Sequence, residues 1–358
     1  MDSRNFGLDA VRAIAIIFVL VSHSNDMLPL VIRPYMNLIS FDGVTIFFVL
    51  SGFLIGGIIL KDIETHPLNF KYLKFFWNRR WLRTLPNYFL ILLILLAIAP
   101  RTVPMFERVK SIPYFFFSQN LWYPHPEKFF TEAWSLSVEE WFYFIFPLLL
   151  LFNLKIQKNI HKAIITTALI VISFSIFSRI FVLFNVEIPS KDWVDLNIRK
   201  MVVTRFDSLF IGVIGAYIYK YYNGLFFKST DKLFIIGITI YLFFEIILNS
   251  SFNKTILIIY PLITSISILM VFPKIILLKT PCYKFKLVIT HISLISYSLY
   301  LTNLALVKRS ILKDIHLRNE ELDVVFRYLL FWVSCIFIST FLYRFFEKPI
   351  MKLRKKTI

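Results

Sequence analysis

Arg12 and His23 stand in one apolar run, GLDAVRAIAIIFVLVSHS, which begins at Gly7. At about 100° per residue, the eleven steps between them bring His23 back to within roughly 20° of Arg12, about 16 Å further along a helix. Ionisable groups facing lipid are costly, so that shared face must line a protein interior or a wet cavity. A histidine at that depth points to proton chemistry, because its charge changes near neutral pH. A second group is AWSLSVEEWFYFIFP, residues 133–147. Ser135 and Glu139 are four apart and share a helical face, and the adjacent Glu139 and Glu140 cannot both turn to hydrocarbon. His23 and Glu139 each fall about five residues from the same end of their helices, so they can reach similar depth. A carboxylate beside an imidazole raises its basicity and fixes its tautomer, which is what a general base requires. Asp26, three residues beyond His23, is the rival partner. The plain alternative is a polar cluster that only holds helices together.

A third group, WNRRWLRTLPNYF at residues 77–89, brings Arg80 and Arg83 onto one face with Arg79 beside them. Three guanidiniums can bind phosphates, and Arg12 lies near the same side. They serve equally well as anchors of membrane topology. In FFVLSGFLIGG, Ser51, Gly52, Gly56 and Gly57 offer small faces for close helix packing. Arg205 and Asp207 read as a structural ion pair, and Tyr297 and Tyr300 as packing on one face of a helix. Arg179, Glu245 and Arg327 are further intramembrane charges without an evident partner.

The elements that must position these residues are membrane helices. The 358 residues are 58% hydrophobic, too apolar for an ordinary soluble protein, and runs long enough to cross a bilayer recur to the end. The length rule predicts an all-α integral membrane protein of about ten transmembrane helices, near 8–28, 43–60, 84–100, 135–152, 162–184, 202–221, 232–249, 255–273, 287–306 and 325–346. The formal net charge of +18 could suggest nucleic acid, but its distribution argues against that partner. With a cytoplasmic N-terminus, Lys71, Lys74, Lys155, Lys158, Lys284 and the tail residues Arg354, Lys355 and Lys356 all fall inside. Glu107, Glu127, Glu132, Asp192 and Asp195 fall outside. An even helix count then puts both termini in the cytoplasm. The hydrophilic stretch 101–133, rich in proline and aromatics, is expected outside, with its SIPYFFFSQNLWYPHPEKFF run at the interface or re-entrant. The chain reads as a single membrane domain over 1–358 with no appended soluble domain. Cys282 and Cys335 are not expected to pair, since neither meets an oxidising compartment. The sequence carries no Walker loop, HExxH pair or GxSxG elbow, and no metal is expected.

With these residues in view, the chain resembles the acyltransferase family 3 membrane proteins over almost its whole length. The likeness rests on LDAVRAIAIIFVLVSHS, FFVLSGFLI, RRWLRTLP, WSLSVEEWFY, RFDSLFIG, YSLYL and the closing FEKP, in that order. The resemblance implies transfer of an acyl group, usually acetyl, from acetyl-coenzyme A or another acyl-coenzyme A as cosubstrate. The acceptor would be a hydroxyl on a cell-surface or lipid-linked polysaccharide, at the bacterial cytoplasmic membrane. It implies catalysis by His23 as general base or acyl relay, with Ser135 and Glu139 forming a motif and Glu140 or Asp26 as further candidates. Coenzyme A phosphates would meet Arg79, Arg80 and Arg83, with Arg12 joining them. The chain departs from the common pattern at Trp141 (often glutamine), Asn303 (often histidine) and Thr45 (often acidic). Some relatives append a soluble domain outside the membrane; without one, the acyl group would be delivered directly or passed to another protein. The competing class is a non-enzymatic transporter of a glycan lipid or organic anion, which would move its cargo without consuming acyl-coenzyme A. A sensor or scaffold would leave the Arg12–His23 alignment unexplained.

Overall fold

The computed structural model describes residues 5–39, 41–103, 108–126, 129–184, 186–250, 253–280 and 282–353. Glu107, Glu127, Arg354, Lys355 and Lys356 therefore lie outside the described residues. Among the described residues every regular element is helical. The long helices are α1 (Phe6–Ser24), α2 (Gly43–Ile63), α3 (Phe70–Thr102), α4 (Ala133–Gln157), α5 (Ile160–Leu183), α6 (Phe206–Tyr221), α7 (Thr230–Ser250), α8 (Lys254–Ile276), α9 (Tyr283–Thr302) and α10 (Glu320–Leu342). Eight of them, all except α6 and α7, are long and apolar enough to cross a membrane, so the chain is an all-α, multi-pass membrane protein.

Polar residues close the helix starts. Asn5, Asp42, Asn69, Asn159, Asn253 and Asn319 each accept a main-chain N–H of the first turn, satisfying donors that the helix cannot. At the centre, α2 and α6 touch backbone to backbone. A Cβ on Gly52 would stand 1.8 Å from the Leu209 carbonyl oxygen, and one on Gly212 would stand 2.2 Å from that of Val49. The small-residue face expected around Gly52 and Gly56 is therefore a packing seam, while Gly57 meets nothing within 4 Å.

Side-chain contacts fix the directions of neighbours. Arg12 reaches Ser293 and His23 reaches Asn303, so α1 and α9 run parallel. Asp42 precedes α2 and binds Arg199 ahead of α6, while Lys220 near the end of α6 donates to the Leu60 carbonyl near the end of α2; these two are parallel as well.

Two expectations need correction. α3 begins at Phe70, well before the expected 84, because Phe75, Phe76, Trp77 and Trp81 extend its apolar face; the arginines sit on the helix itself. α1 ends at Ser24, so His23 is its penultimate residue rather than five from the end. Within the 101–133 stretch, the turn at Gln119 and Asn120 packs on the bundle. Gln119 donates to the Ala133 carbonyl and to Ser137, and Asn120 donates to the Trp134 and Lys200 carbonyls, so the strand of loop tucks over the start of α4.

Candidate active site

α9 does not stop at Thr302. It continues through wider, π-type turns over Asn303–Ile311. Such turns shift the hydrogen-bond register and recur at functional sites. Glu132, just before α4, holds this switch from outside the helix: its Oε1 accepts the main-chain N–H groups of Ala305 at 2.8 Å and Leu304 at 3.2 Å. Burial pushes the Glu132 carboxyl up to about 7, and these N–H donors only partly offset it.

His23 meets α9 at this switch. Its Nδ1 lies 2.5 Å from Oδ1 of Asn303, whose own amide nitrogen donates to the carbonyls of Leu299 at 2.9 Å and Tyr300 at 2.8 Å. The His23 main-chain carbonyl accepts from Lys308 at 2.6 Å, and Lys308 also donates to Asp26 at 2.5 Å. Asp26 thus reaches His23 only through Lys308. Among the described residues, no carboxylate hydrogen-bonds the His23 ring, contrary to the expected Glu139, Glu140 or Asp26 contact. Asn303, noted in the sequence only as a departure from a family pattern, takes that place. An uncharged partner suits a helix end inside the membrane, since it adds no second buried charge.

The WSLSVEEWFY glutamates point different ways. Glu139 accepts from Ser51 at 2.7 Å and from Tyr143 at 3.0 Å. Glu140 belongs to a separate aromatic cleft with Trp81, Phe89, Phe117 and Phe144. Ser135 donates to the Tyr300 hydroxyl at 2.6 Å, and the Tyr297 hydroxyl donates to the Thr84 carbonyl at 2.8 Å.

A cavity of about 100 Å³ among α1, α2, α3, α4 and α9 gathers Arg12, Arg80, Arg83, Ser135, Glu139 and Tyr300. The expected shared face of Ser135 and Glu139 and the expected approach of Arg12 to the α3 arginines are both present. Arg12 is anchored by Asp9 at 3.4 Å and Ser293 at 3.1 Å. Arg79 is exposed and lies over the Phe75 ring, away from this cavity, so two of the three α3 guanidiniums converge rather than three. His23 is not in the cavity wall, which reaches Tyr300, one helical turn before Asn303. Tyr297 and Tyr300, expected to be packing residues, are part of the wall. Their period in YSLYL marked a buried face, but could not tell a packed face from a cavity.

The other charged residues singled out in the sequence have side-chain partners. Asp207 pairs with Arg179 at 2.8 Å, not with Arg205 as the sequence suggested. Arg205 donates instead to the Thr45 hydroxyl at 2.6 Å, and Thr45 donates to Asp42 at 2.7 Å. Burial works against the Asp42 charge, but Arg199, Arg205 and the Thr45 hydrogen bond outweigh it and hold the carboxyl well below the ordinary range. Glu245 accepts from Tyr260 at 2.6 Å, and Arg327 lies 3.9 Å from Asp323. Glu347 of the closing FEKP accepts from Asn87 at 3.0 Å and Ser298 at 2.8 Å, tying the chain end to α3 and α9. Among the described residues no group of three or more histidine, cysteine or acidic side chains could hold a metal ion.

A family model described as an acyltransferase domain matches residues 5–344. The O-acetyltransferase OatA of Staphylococcus aureus is 31% identical over 227 residues, covering 60% of this chain and 34% of the relative. The peptidoglycan O-acetyltransferase OatA of Listeria monocytogenes is 33% identical over 168 residues, 42% of this chain and 25% of the relative. The chain thus spans at most about a third of the length of these curated relatives. No solved structure gives a significant match.

Proposed function

The chain belongs to acyltransferase family 3, and from that premise we propose that it moves an acyl group, acetyl in the first instance, from acyl-coenzyme A to a hydroxyl of a cell-surface or lipid-linked glycan at the bacterial inner membrane. The observation that carries this reading is the convergence of Arg12, Arg80 and Arg83 with Ser135 and Glu139 on one cavity, which reaches to within a helical turn of the partner of His23. Guanidiniums are suited to phosphate, and among the described residues the other strongly polar groups on the wall are a carboxylate and hydroxyls. The names of the relatives support acetyl as the group and a glycan hydroxyl as the acceptor.

Arg80 and Arg83 would take the phosphates of the cosubstrate, with Arg12 on the same cavity wall. Glu139, held by Ser51 and Tyr143, lies within electrostatic reach of Arg83 and Arg12 and would offset part of their mutual repulsion. His23 removes the proton from the acceptor hydroxyl. The resulting oxygen attacks the thioester carbonyl, the carbon–sulfur bond breaks, and the coenzyme A thiolate departs toward the arginine end. General-base help of this kind contributes roughly 10²–10⁴ in rate.

The same reading places α6 and α7 among ten crossings and both termini in the cytoplasm, with the chain acting as one membrane domain. The lysine-rich turns at one end of the bundle and the parallel pairs α1–α9 and α2–α6 support it.

The test is binding of acetyl-coenzyme A to the purified protein in detergent, wild type beside His23→Ala. Binding by both, with acetyl transfer to a glycan hydroxyl only in wild type, is the expected result. A folded wild type that does not bind acetyl-coenzyme A would overturn the enzyme reading in favour of a membrane carrier.

A further inference from the structure

We infer that Asn303 is a positioning residue that holds His23 in a single neutral tautomer, with the proton on Nδ1 and the lone pair on Nε2. The inference deepens the general-base reading of His23 and rests on it for its functional meaning, though not for its geometry.

The argument is one of donors and acceptors. The Asn303 amide nitrogen lies 2.9 Å from the Leu299 carbonyl and 2.8 Å from the Tyr300 carbonyl. Both partners can only accept, so the NH₂ group must face them and the amide orientation is settled by its surroundings. Oδ1 is then the atom turned to His23, at 2.5 Å from Nδ1. An amide oxygen cannot donate, so Nδ1 must carry the proton. In the neutral ring, Nε2 is left as the acceptor. This is the atom available to take a proton from a hydroxyl.

The support behind Asn303 is rigid. Its side chain is fully buried. Glu132 grips the next two main-chain N–H groups, those of Leu304 and Ala305, and so fixes the backbone at the register switch. Lys308, one turn further on, holds the main-chain carbonyl of His23 itself. The imidazole is therefore gripped at ring and backbone by one segment, Asn303–Lys308. Metal-bound and catalytic histidines are commonly oriented by a carboxylate or a backbone carbonyl on the second nitrogen; here a side-chain amide does the same work without adding charge.

The experiment is long-range proton–nitrogen correlation spectroscopy on protein labelled with ¹⁵N-histidine, in detergent at pH 8. His23→Gln identifies the signal of His23 among the six histidines. The expected spectrum shows His23 neutral with Nδ1 protonated and Nε2 bare. A ring protonated on Nε2 alone, or on both nitrogens, would overturn the inference. Asn303→Leu should release the ring into a mixture of tautomers and lower kcat about 10–100-fold, with KM for acetyl-coenzyme A within about threefold of wild type. Acetyl-coenzyme A binding checks that the variant is folded. Unchanged tautomer and kcat in a folded Asn303→Leu protein would also overturn the inference. Because the spectrum is read without turnover, an Nδ1–H ring in a protein whose His23→Gln variant still transfers acetyl would refute the general-base reading alone.

Discussion

Arg179 and Asp207 face each other across 2.8 Å with neither side chain exposed, and the arginine also donates to the Ile258 and Thr204 carbonyls. The pair lies apart from the arginine cavity and joins α5 to α6. Removing one partner strands the other charge in a dry interior, which typically costs about 3–5 kcal/mol. Asp207→Ala and Arg179→Ala should each lose that much stability in thermal unfolding. The Arg179→Met, Asp207→Leu double variant should recover most of it. Equal losses in single and double variants would count against the pair as a charge-balancing contact.

The cavity separates the three α3 arginines by position, and on the proposed reading by function. Arg80→Ala and Arg83→Ala should each weaken acetyl-coenzyme A binding by about 1.5–3 kcal/mol, the worth of a charge-assisted hydrogen bond, or roughly 10–100-fold in Kd. Arg79→Ala should leave Kd unchanged, because its guanidinium lies over Phe75 outside the cavity. Titrations at low and high salt check both statements.

Glu132 and His125 shape the pH dependence of stability from opposite sides. Burial raises Glu132 from its ordinary 4.5 to about 7, so between those values the folded protein keeps a proton that the unfolded chain has lost, and stability falls as pH rises. Burial lowers His125 from 6.5 to about 3, so the unfolded chain gains a proton that the folded one refuses, and stability falls as pH drops through that range. The two slopes cancel between about 4.5 and 6.5, giving a plateau from these groups. Glu132→Gln keeps an acceptor for the Leu304 and Ala305 N–H groups and should tilt the plateau upward with pH; His125→Gln should tilt it downward. Melting temperatures across pH 4–8 for the three proteins decide the matter.

The glycines of α2 make a contrast by position. Gly52→Ala places a methyl where the Leu209 carbonyl already stands, so α2 and α6 must part. A loss of several kcal/mol or failure to fold is expected, as for overpacking against backbone. Gly57→Ala adds a methyl in open space and removes backbone freedom from the unfolded chain, so it should be neutral or stabilising by up to about 1 kcal/mol. Expression level and thermal unfolding read out both.

Much of this was legible in the residues. Hydrophobic length placed the long helices, and the eleven-residue step from Arg12 to His23 placed both on the face toward α9. The partner of His23 was not legible. Carboxylates drew attention because they shift histidine chemistry most, yet Glu139 and Glu140 sit on a helix whose rotation sends them to Ser51 and to the aromatic cleft. Asn303 becomes visible only when α9 changes register, which no local pattern in YSLYLTN announces. The ion pair at Asp207 escaped for a similar reason: adjacency favoured Arg205, while the true partner lies on another helix. The start of α3 was missed because its early turns are basic and fail a hydropathy test, although their aromatic face is continuous.

That early part of α3 has a bearing on the surrounding lipid. At 33 residues the helix is about 50 Å long, some 20 Å more than a typical hydrocarbon core. Trp77 and Trp81 stack with ring centroids 6.0 Å apart, and Trp77 donates its indole N–H to the Tyr143 carbonyl at 3.0 Å, midway along α4. The surplus is the turns before them, where Lys71 and Lys74 are exposed and Lys155 lies over the Phe70 ring. On the proposed topology a thicker bilayer would press these ammonium groups toward oil or tilt the helix, and tilting would move Arg80 and Arg83. In vesicles of graded acyl-chain length, cosubstrate affinity should pass through a maximum where membrane thickness matches the bundle.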